Sequence, residues 1–287
     1  MGTHQAVPDP FTGTFITDSV SKRAYAAALA GLPKPVAMPD PPGECVFCPE
    51  HAPLYEKEIF RIGSPDHWDA IVIRNAYPFD TGQHDLVVCS PQHSWAPHTS
   101  TVEHLRRLCE LRRLHGSNIL AATGHSWLST WLSYGVAAGA SQPHAHIQLL
   151  SFASMLPRVA DELSAVGSEP TCGLCLSTHT ELLSNEFGKL ILSAPGATLV
   201  ASGPDHGGWS AEAEAHTLAA ALRLMLTVHG PCAYNITWHT EPAFPGHPHL
   251  HVSVRGQPPP AATFLEGWTQ LPGTWDDHRQ AWLEALG

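Results

Sequence analysis

The sequence predicts an α+β protein built from two similar halves, each an antiparallel sheet with a helix. Three observations carry this. Short Val- and Ile-rich runs are bounded by turn residues, two longer segments have helical periodicity, and one set of motifs recurs in the same order along the 287 residues.

After a proline-rich lead to Pro42, residues 69–75 (DAIVIRN) and 84–90 (HDLVVCS) read as strands. Residues 101–122 read as a helix, with Leu105, Leu108, Cys109, Leu111 and Leu114 on its apolar face. Arg106, Arg107, Arg112 and Arg113 are expected on its solvated face with Glu103 and Glu110, and His98, His104, His115 and His125 are expected at the surface or on helix faces. Strands at 127–136 and 143–151 close this half. The second half repeats the order: strands at 189–193 and 197–202, an Ala/Leu-rich helix at 211–228, then strands at 232–239 and 249–255. A short helix is expected from near Asp276.

The punctuation repeats too. Each half opens on Cys-x-x-Cys, carries a Pro-x-His turn (SPQHS at 90–94, GPDHG at 203–207) and closes on Pro-His-x-His (PHAH at 143–146, PHLH at 248–251). The boundary between halves is expected near 152–170, giving units 1–160 and 161–287.

Composition narrows the function. With 26 acidic against 15 basic residues the net charge is -11, so no chain-wide grip on nucleic acid or an anionic membrane is expected. An anionic substrate must be held locally. The best apolar run, 218–226, is broken by Arg223 and is far shorter than the ~20 residues of a membrane span. Residues 1–10 lack the pattern of a secretory signal, so a cytoplasmic location is expected. Four of the seven cysteines form two Cys-x-x-Cys pairs, which in a reducing compartment points to metal or redox chemistry rather than disulfides.

A thiolate pair two residues apart can clasp one tetrahedral ion from a single turn, and two imidazoles complete the set. The first such set is Cys45, Cys48, His93 and His144; the second is Cys172, Cys175, His206 and His249. Zinc is the expected ion, at one or both sites. For the second site the alternative ligands are Glu162, His239 and His251 together with His249, an oxygen/imidazole set suited to iron.

Alternate residues of a strand share a face, so in the run PHAHIQ at 143–148 His144, His146 and Gln148 point one way. A neutral imidazole is a competent nucleophile toward phosphorus, and the phosphoramidate it forms can be attacked by a second phosphate. That role falls to His146. Gln148 can donate to a phosphoryl oxygen without competing as a base, and Ser141 in the preceding Gly139-Ala140-Ser141 can supply a hydroxyl to the same phosphate. His84, by contrast, reads as structural.

The run Gly139-x-Ser141-x-Pro143-His144-x-His146-x-Gln148 resembles the active-site motif of galactose-1-phosphate uridylyltransferases, the nucleotide-transferring branch of the histidine triad superfamily. Asp9-Pro10-Phe11-Thr12-Gly13, Cys45-x-x-Cys48-Pro49, Asn75, Ser90-Pro91-x-His93-Ser94 and Trp238-His239 with His249-x-His251 resemble further landmarks of that family, in matching order.

The resemblance implies a duplicated histidine-triad-like fold, a covalent nucleotidyl-His146 intermediate, His144 as a zinc ligand, and Asn75, Ser141 and Gln148 as nucleotide contacts. It implies small-molecule partners, a nucleoside diphosphate sugar and a phosphate ester, with UMP as the group moved, and a homodimer. The second Cys-x-x-Cys is closer to two-zinc relatives of the family and keeps open an adenylyl-transferring phosphorylase, acting on an NDP-sugar or a dinucleoside polyphosphate. From a different class, a zinc- and nucleotide-binding protein without turnover also remains open. Two regions depart from the family pattern: Lys22-Arg23-Ala24-Tyr25, and Gly267-Trp268-Thr269 with Trp275, where the family holds phosphate and hexose hydroxyls.

Overall fold

The computed structural model describes residues 7–8, 15–19, 45–50, 58–64, 66–76, 78, 83–140, 142–167, 172–176, 181–193, 198–206, 208–240, 244–255, 268–272 and 275–286. Strands β1 (Val7–Pro8) and β2 (Phe15–Ser19) form a small three-stranded sheet with the late strand β13 (Trp268–Pro272), which runs parallel to β2.

The main sheet has ten strands: β3 (Glu58–Gly63), β4 (Trp68–Arg74), β5 (His84–Val88), β6 (Trp127–Tyr134), β7 (His146–Phe152), β8 (Glu181–Asn185), β9 (Gly188–Ser193), β10 (Thr198–Ser202), β11 (Ala233–His239) and β12 (His249–Arg255). Their spatial order is β3-β4-β5-β7-β6-β11-β12-β10-β9-β8, antiparallel throughout. The five strands of the first half therefore meet the five of the second at β6 and β11, where Trp131 pairs with Thr237 and Tyr134 with Tyr234.

Two long helices cover one face, α1 (Val102–Thr123) and, after the shorter α2 (Pro157–Val166) and α3 (Gly173–Leu176), α4 (Ala211–His229); α5 (Trp275–Glu284) closes the chain. The Thr101 side chain accepts from His104 N–H at 3.2 Å to start α1, and Gly124 at φ 68 ends it in the left-handed conformation that suits glycine. Ser210 caps α4 in the same way, through Ala213 N–H.

Strand alternation divides the core between two faces. Ala70 and Val72 of β4, Ile147 and Leu149 of β7, and Leu250 and Val252 of β12 pack under the helices with Leu105, Leu108, Leu218 and Leu222. On the opposite face Ile71, Ile73, Leu86 and Val88 pack with Cys45, Phe47 and Cys48, and Val200 and Ile191 pack with Cys172 and Leu174. This face, which α1 and α4 leave uncovered and against which the short helices α2 and α3 pack, carries the clustered histidines.

The structure corrects several expectations. Edge strands β3 and β8 and helix α2 are not among the elements read from the sequence. Leu114 is exposed, while Arg112 lies fully buried between α1 and α4, its Nη2 donating to both Glu214 carboxylate oxygens at 3.0 Å and to Thr240 Oγ1 at 2.8 Å. His115 is buried as well, with Nε2 2.8 Å from Asp85 Oδ2. The face predicted as solvated holds for Arg106, Arg107, Glu103 and Glu110, which pair with one another, while Arg113 turns to Glu214. Among the described residues no helix is long and apolar enough to cross a membrane.

Candidate active site and metal centres

His146 is the first residue of β7, opposite Val88, and Gln148 follows on the same face opposite Leu86. The His146 ring is 6% exposed. Its Nδ1 lies 2.9 Å from the carbonyl of His144, which only accepts, so Nδ1 carries the hydrogen and Nε2 keeps its lone pair. Burial holds its pKa below the ordinary histidine value, against the opposing pull of that carbonyl, so the ring is neutral. A buried, neutral imidazole with one fixed tautomer is the form that attacks phosphorus. Asn75, just past the end of β4, is half-buried and its Nδ2 lies 3.2 Å from His84 Nδ1. Ser141 lies outside the described residues, as do the 9–13 and 22–25 stretches.

Cys45, Cys48, His93 and His144 come together with all four ligand atoms within 4.8 Å of one another. Cys48 N–H donates to the Cys45 carbonyl, closing the turn that aims both thiols inward. Cys48 Sγ lies 3.3 Å from His93 Nδ1 and 3.7 Å from His144 Nδ1, and Cys45 Sγ lies 3.6 Å from His144 Nδ1. A tetrahedron with bonds of ~2.3 Å to sulfur and ~2.0 Å to nitrogen has S···N edges of about 3.5 Å, so these side chains fit a zinc ion. His144 Nε2 donates to the Ser90 carbonyl at 2.7 Å, which turns Nδ1 toward the sulfurs. Burial, then the adjacent Cys45, pushes the Cys48 thiol up to about 12. A cation held between the sulfurs would offset that cost.

The second half repeats this arrangement with one change of ligand. Cys172, Cys175 and His206 cluster with His247, not with His249. Cys175 Sγ and Cys172 Sγ lie 3.4 and 3.7 Å from His247 Nδ1, and His247 Nε2 donates to the Gly203 carbonyl at 2.9 Å, as His144 does to Ser90. The reason is the point at which the strand begins. His249 opens β12 opposite Ser202 as His146 opens β7 opposite Val88, and His249 Nδ1 bonds the His247 carbonyl at 2.7 Å. The halves thus align His144 with His247, His146 with His249 and Gln148 with His251, two residues away from the alignment that the Pro-His-x-His runs suggest.

His249 belongs to a third cluster with Glu162, His239 and His251. Glu162, carried on α2, has Oε1 2.7 Å from His249 Nε2, 2.9 Å from His251 Nε2 and 3.1 Å from His239 Nδ1. One carboxylate oxygen and three imidazoles thus lie close enough to share one ion, and this oxygen/imidazole donor set suits iron as well as zinc. Burial raises the Glu162 pKa, but the His251 charge and the three imidazole hydrogen bonds outweigh it and hold the carboxyl well below its usual range. The two ligand sets read from the sequence as alternatives are separate clusters that share no residue.

The described architecture closely matches solved structures. An ADP-glucose phosphorylase from Arabidopsis thaliana with bound ADP-glucose superposes with a TM-score of 0.77, at 20% identity and over 99% of both chains. A uridylyltransferase superposes with a TM-score of 0.69, at 18% identity and over 98% of both chains. The chain has the galactose-1-phosphate uridylyltransferase fold. A GalT-like protein from Arabidopsis thaliana shares this uridylyltransferase fold at a TM-score of 0.73 and 21% identity, over 99% of both chains. In sequence, the chain is 25% identical over 186 residues to the Arabidopsis thaliana ADP-glucose phosphorylase, a match covering 55% of this chain and 52% of that protein, so it spans about half the length of the curated relative. No family model matches.

Proposed function

We propose that the chain is a nucleotidyltransferase that moves a nucleoside monophosphate from a nucleoside diphosphate sugar to a phosphate-bearing acceptor through a covalent bond to His146. The reading is carried by the His146 Nδ1 hydrogen bond to the His144 carbonyl, which leaves Nε2 as the nucleophilic atom. In the first step the Nε2 lone pair attacks the α-phosphorus. The N–P bond forms, the bond from that phosphorus to the bridging oxygen breaks, and the sugar 1-phosphate leaves with the electron pair. The His144 carbonyl keeps the Nδ1 hydrogen and supports the positive charge the ring acquires, while Gln148 is positioned to donate to the phosphoryl oxygens. In the second step an acceptor phosphate oxygen attacks the same phosphorus and the imidazole departs unchanged.

Zinc at Cys45, Cys48, His93 and His144, when bound, supplies a rigid clamp on the residue whose carbonyl fixes the nucleophile. We assign zinc to Cys172, Cys175, His206 and His247 on the same donor chemistry, and an iron-type ion to Glu162, His239, His249 and His251.

A second reading, phosphorolysis of an ADP-sugar with inorganic phosphate as the acceptor, is favoured by the similarity to ADP-glucose phosphorylase. Both share the first step. Intact-mass spectrometry after incubation with ADP-glucose and with UDP-glucose, beside a His146→Ala control, tests it. A nucleoside monophosphate adduct confined to the wild-type chain is expected. Chasing that adduct with phosphate or with a sugar 1-phosphate then separates the two readings by the product released. No adduct from a metal-loaded protein that binds nucleotide would leave a binding protein without turnover.

A further inference from the structure

His84 begins β5 and is 2% exposed, on the same face as His146 and Gln148. It pairs with Leu150, which makes it the diagonal neighbour of Gln148 across the two strands. Its Nε2 lies 3.1 Å from Gln148 Oε1. Asn75 Nδ2 stands 3.2 Å from both ring nitrogens. An amide nitrogen only donates, and Nε2 is engaged with the carboxamide oxygen, so Nδ1 is the acceptor for Asn75 and Nε2 carries the ring hydrogen. Trp131 packs against the ring, tilted at 38° with centroids 6.1 Å apart, and is itself the cross-strand partner of Gln148.

A carboxamide has a donating end and an accepting end, and a phosphoryl oxygen can be served only by the first. The Nε2 hydrogen of His84 determines which end of Gln148 faces His84. We infer that His84 is a positioning residue for nucleotidyl transfer: by donating to Gln148 Oε1 it delivers the Gln148 amide hydrogens to the phosphoryl oxygens at His146. This rests on the reaction proposed at His146 and adds the device that orients its hydrogen-bond donor.

The second half supports the pairing. Counting from His249 as from His146, the position of His84 is taken by Thr198, opposite Ser253, and the position of Gln148 by His251. The half without the glutamine lacks the histidine that would orient it.

The test is a double-mutant cycle on single-turnover adduct formation, with ADP-glucose or UDP-glucose as the donor probe. His84→Phe retains a ring to pack on Trp131 and removes the Nε2 hydrogen. His84→Gln restores an N–H donor near the same point. His84→Phe is expected to slow adduct formation by about 10- to 100-fold, with the donor KM changed less than about threefold, and His84→Gln to recover most of the loss. In a Gln148→Ala background His84→Phe is expected to cost nothing further. An equal cost in that background, or a loss confined to KM, overturns the proposal. Imidazole nitrogen NMR of the wild-type protein provides a check that needs no turnover. An Nε2–H tautomer of His84 is expected, and an Nδ1–H tautomer overturns the proposal even if adduct forms. A wild-type protein that shows the expected tautomer but forms no adduct with either donor overturns the reaction at His146, and the positioning role with it.

Discussion

The ring of Phe47 packs on the imidazole of His146, with centroids 5.0 Å apart and planes at 59°. Phe47 sits inside the Cys45–Cys48 turn, and its backbone N–H donates to Cys45 Sγ at 3.4 Å. The first cysteine–histidine cluster therefore holds the His146 ring from two directions: the His144 carbonyl secures its Nδ1 hydrogen and Phe47 covers its ring.

Replacing Phe47 with Ala is expected to leave the four ligands in place and to free the His146 ring. Adduct formation should slow about tenfold, equivalent to ~1.4 kcal/mol of barrier, with the zinc content unchanged. Stripping the metal with a chelator should abolish the adduct, because the Cys45–Cys48 turn then loses its clamp. Single-turnover rates beside elemental analysis separate the two effects.

The corrected alignment of the halves makes opposite predictions for two neighbouring histidines. His247→Ala should release the ion held with Cys172 and Cys175 and leave the Glu162 cluster loaded. His249→Ala should empty the Glu162 cluster and leave the cysteine site intact. Native mass spectrometry of the two variants reads this directly, with one ion lost in each case and of different identity. Loss of the cysteine-bound ion from the His249 variant would contradict the geometry.

Burial lowers the pKa of His146 below the ordinary value of 6.5, and in the proposed reaction the neutral ring is the nucleophile. The rate of adduct formation is therefore expected to stay level as the pH falls through 6.5 and to decline only in more acidic solution. The linked effect on stability has a definite sign. The unfolded chain takes up the proton first, so stability is lost as the pH drops below the unfolded value. The half-buried His98, lowered for the same reason, contributes with the same sign. A pH–rate profile and urea unfolding at successively lower pH measure the two.

Arg112 and Glu214 are both fully buried and join α1 to α4. Glu214→Ala leaves the Arg112 guanidinium without its carboxylate in the core, which is expected to cost about 3–5 kcal/mol in equilibrium unfolding. Removing the exposed Glu103 carboxylate, which pairs with Arg106 and Arg107 at the surface, should barely shift the unfolding midpoint.

Local spacing explains what was legible. The order of the strands and the two long helices, the Cys-x-x-Cys turns, and the shared face of His146 and Gln148 follow from periods of two and 3.6 residues and from turn chemistry, all visible within a few residues. The edge strand β3 has no clean alternation, with Ile59 and Phe60 both exposed, so it carries no such signal.

By itself the sequence determined an α+β chain of two repeated halves, the strand that presents His146 and Gln148 on one face, and the first Cys2His2 cluster. Tertiary structure decided the rest: that His247 and not His249 joins Cys172, that Glu162 of α2 reaches three histidines on β11 and β12, and that Arg112 is buried against a carboxylate 102 residues away. Each of these depends on where a strand begins in the sheet or on which helix lies over it. Such long-range registers are set by packing the two faces of one sheet, and no local period encodes them.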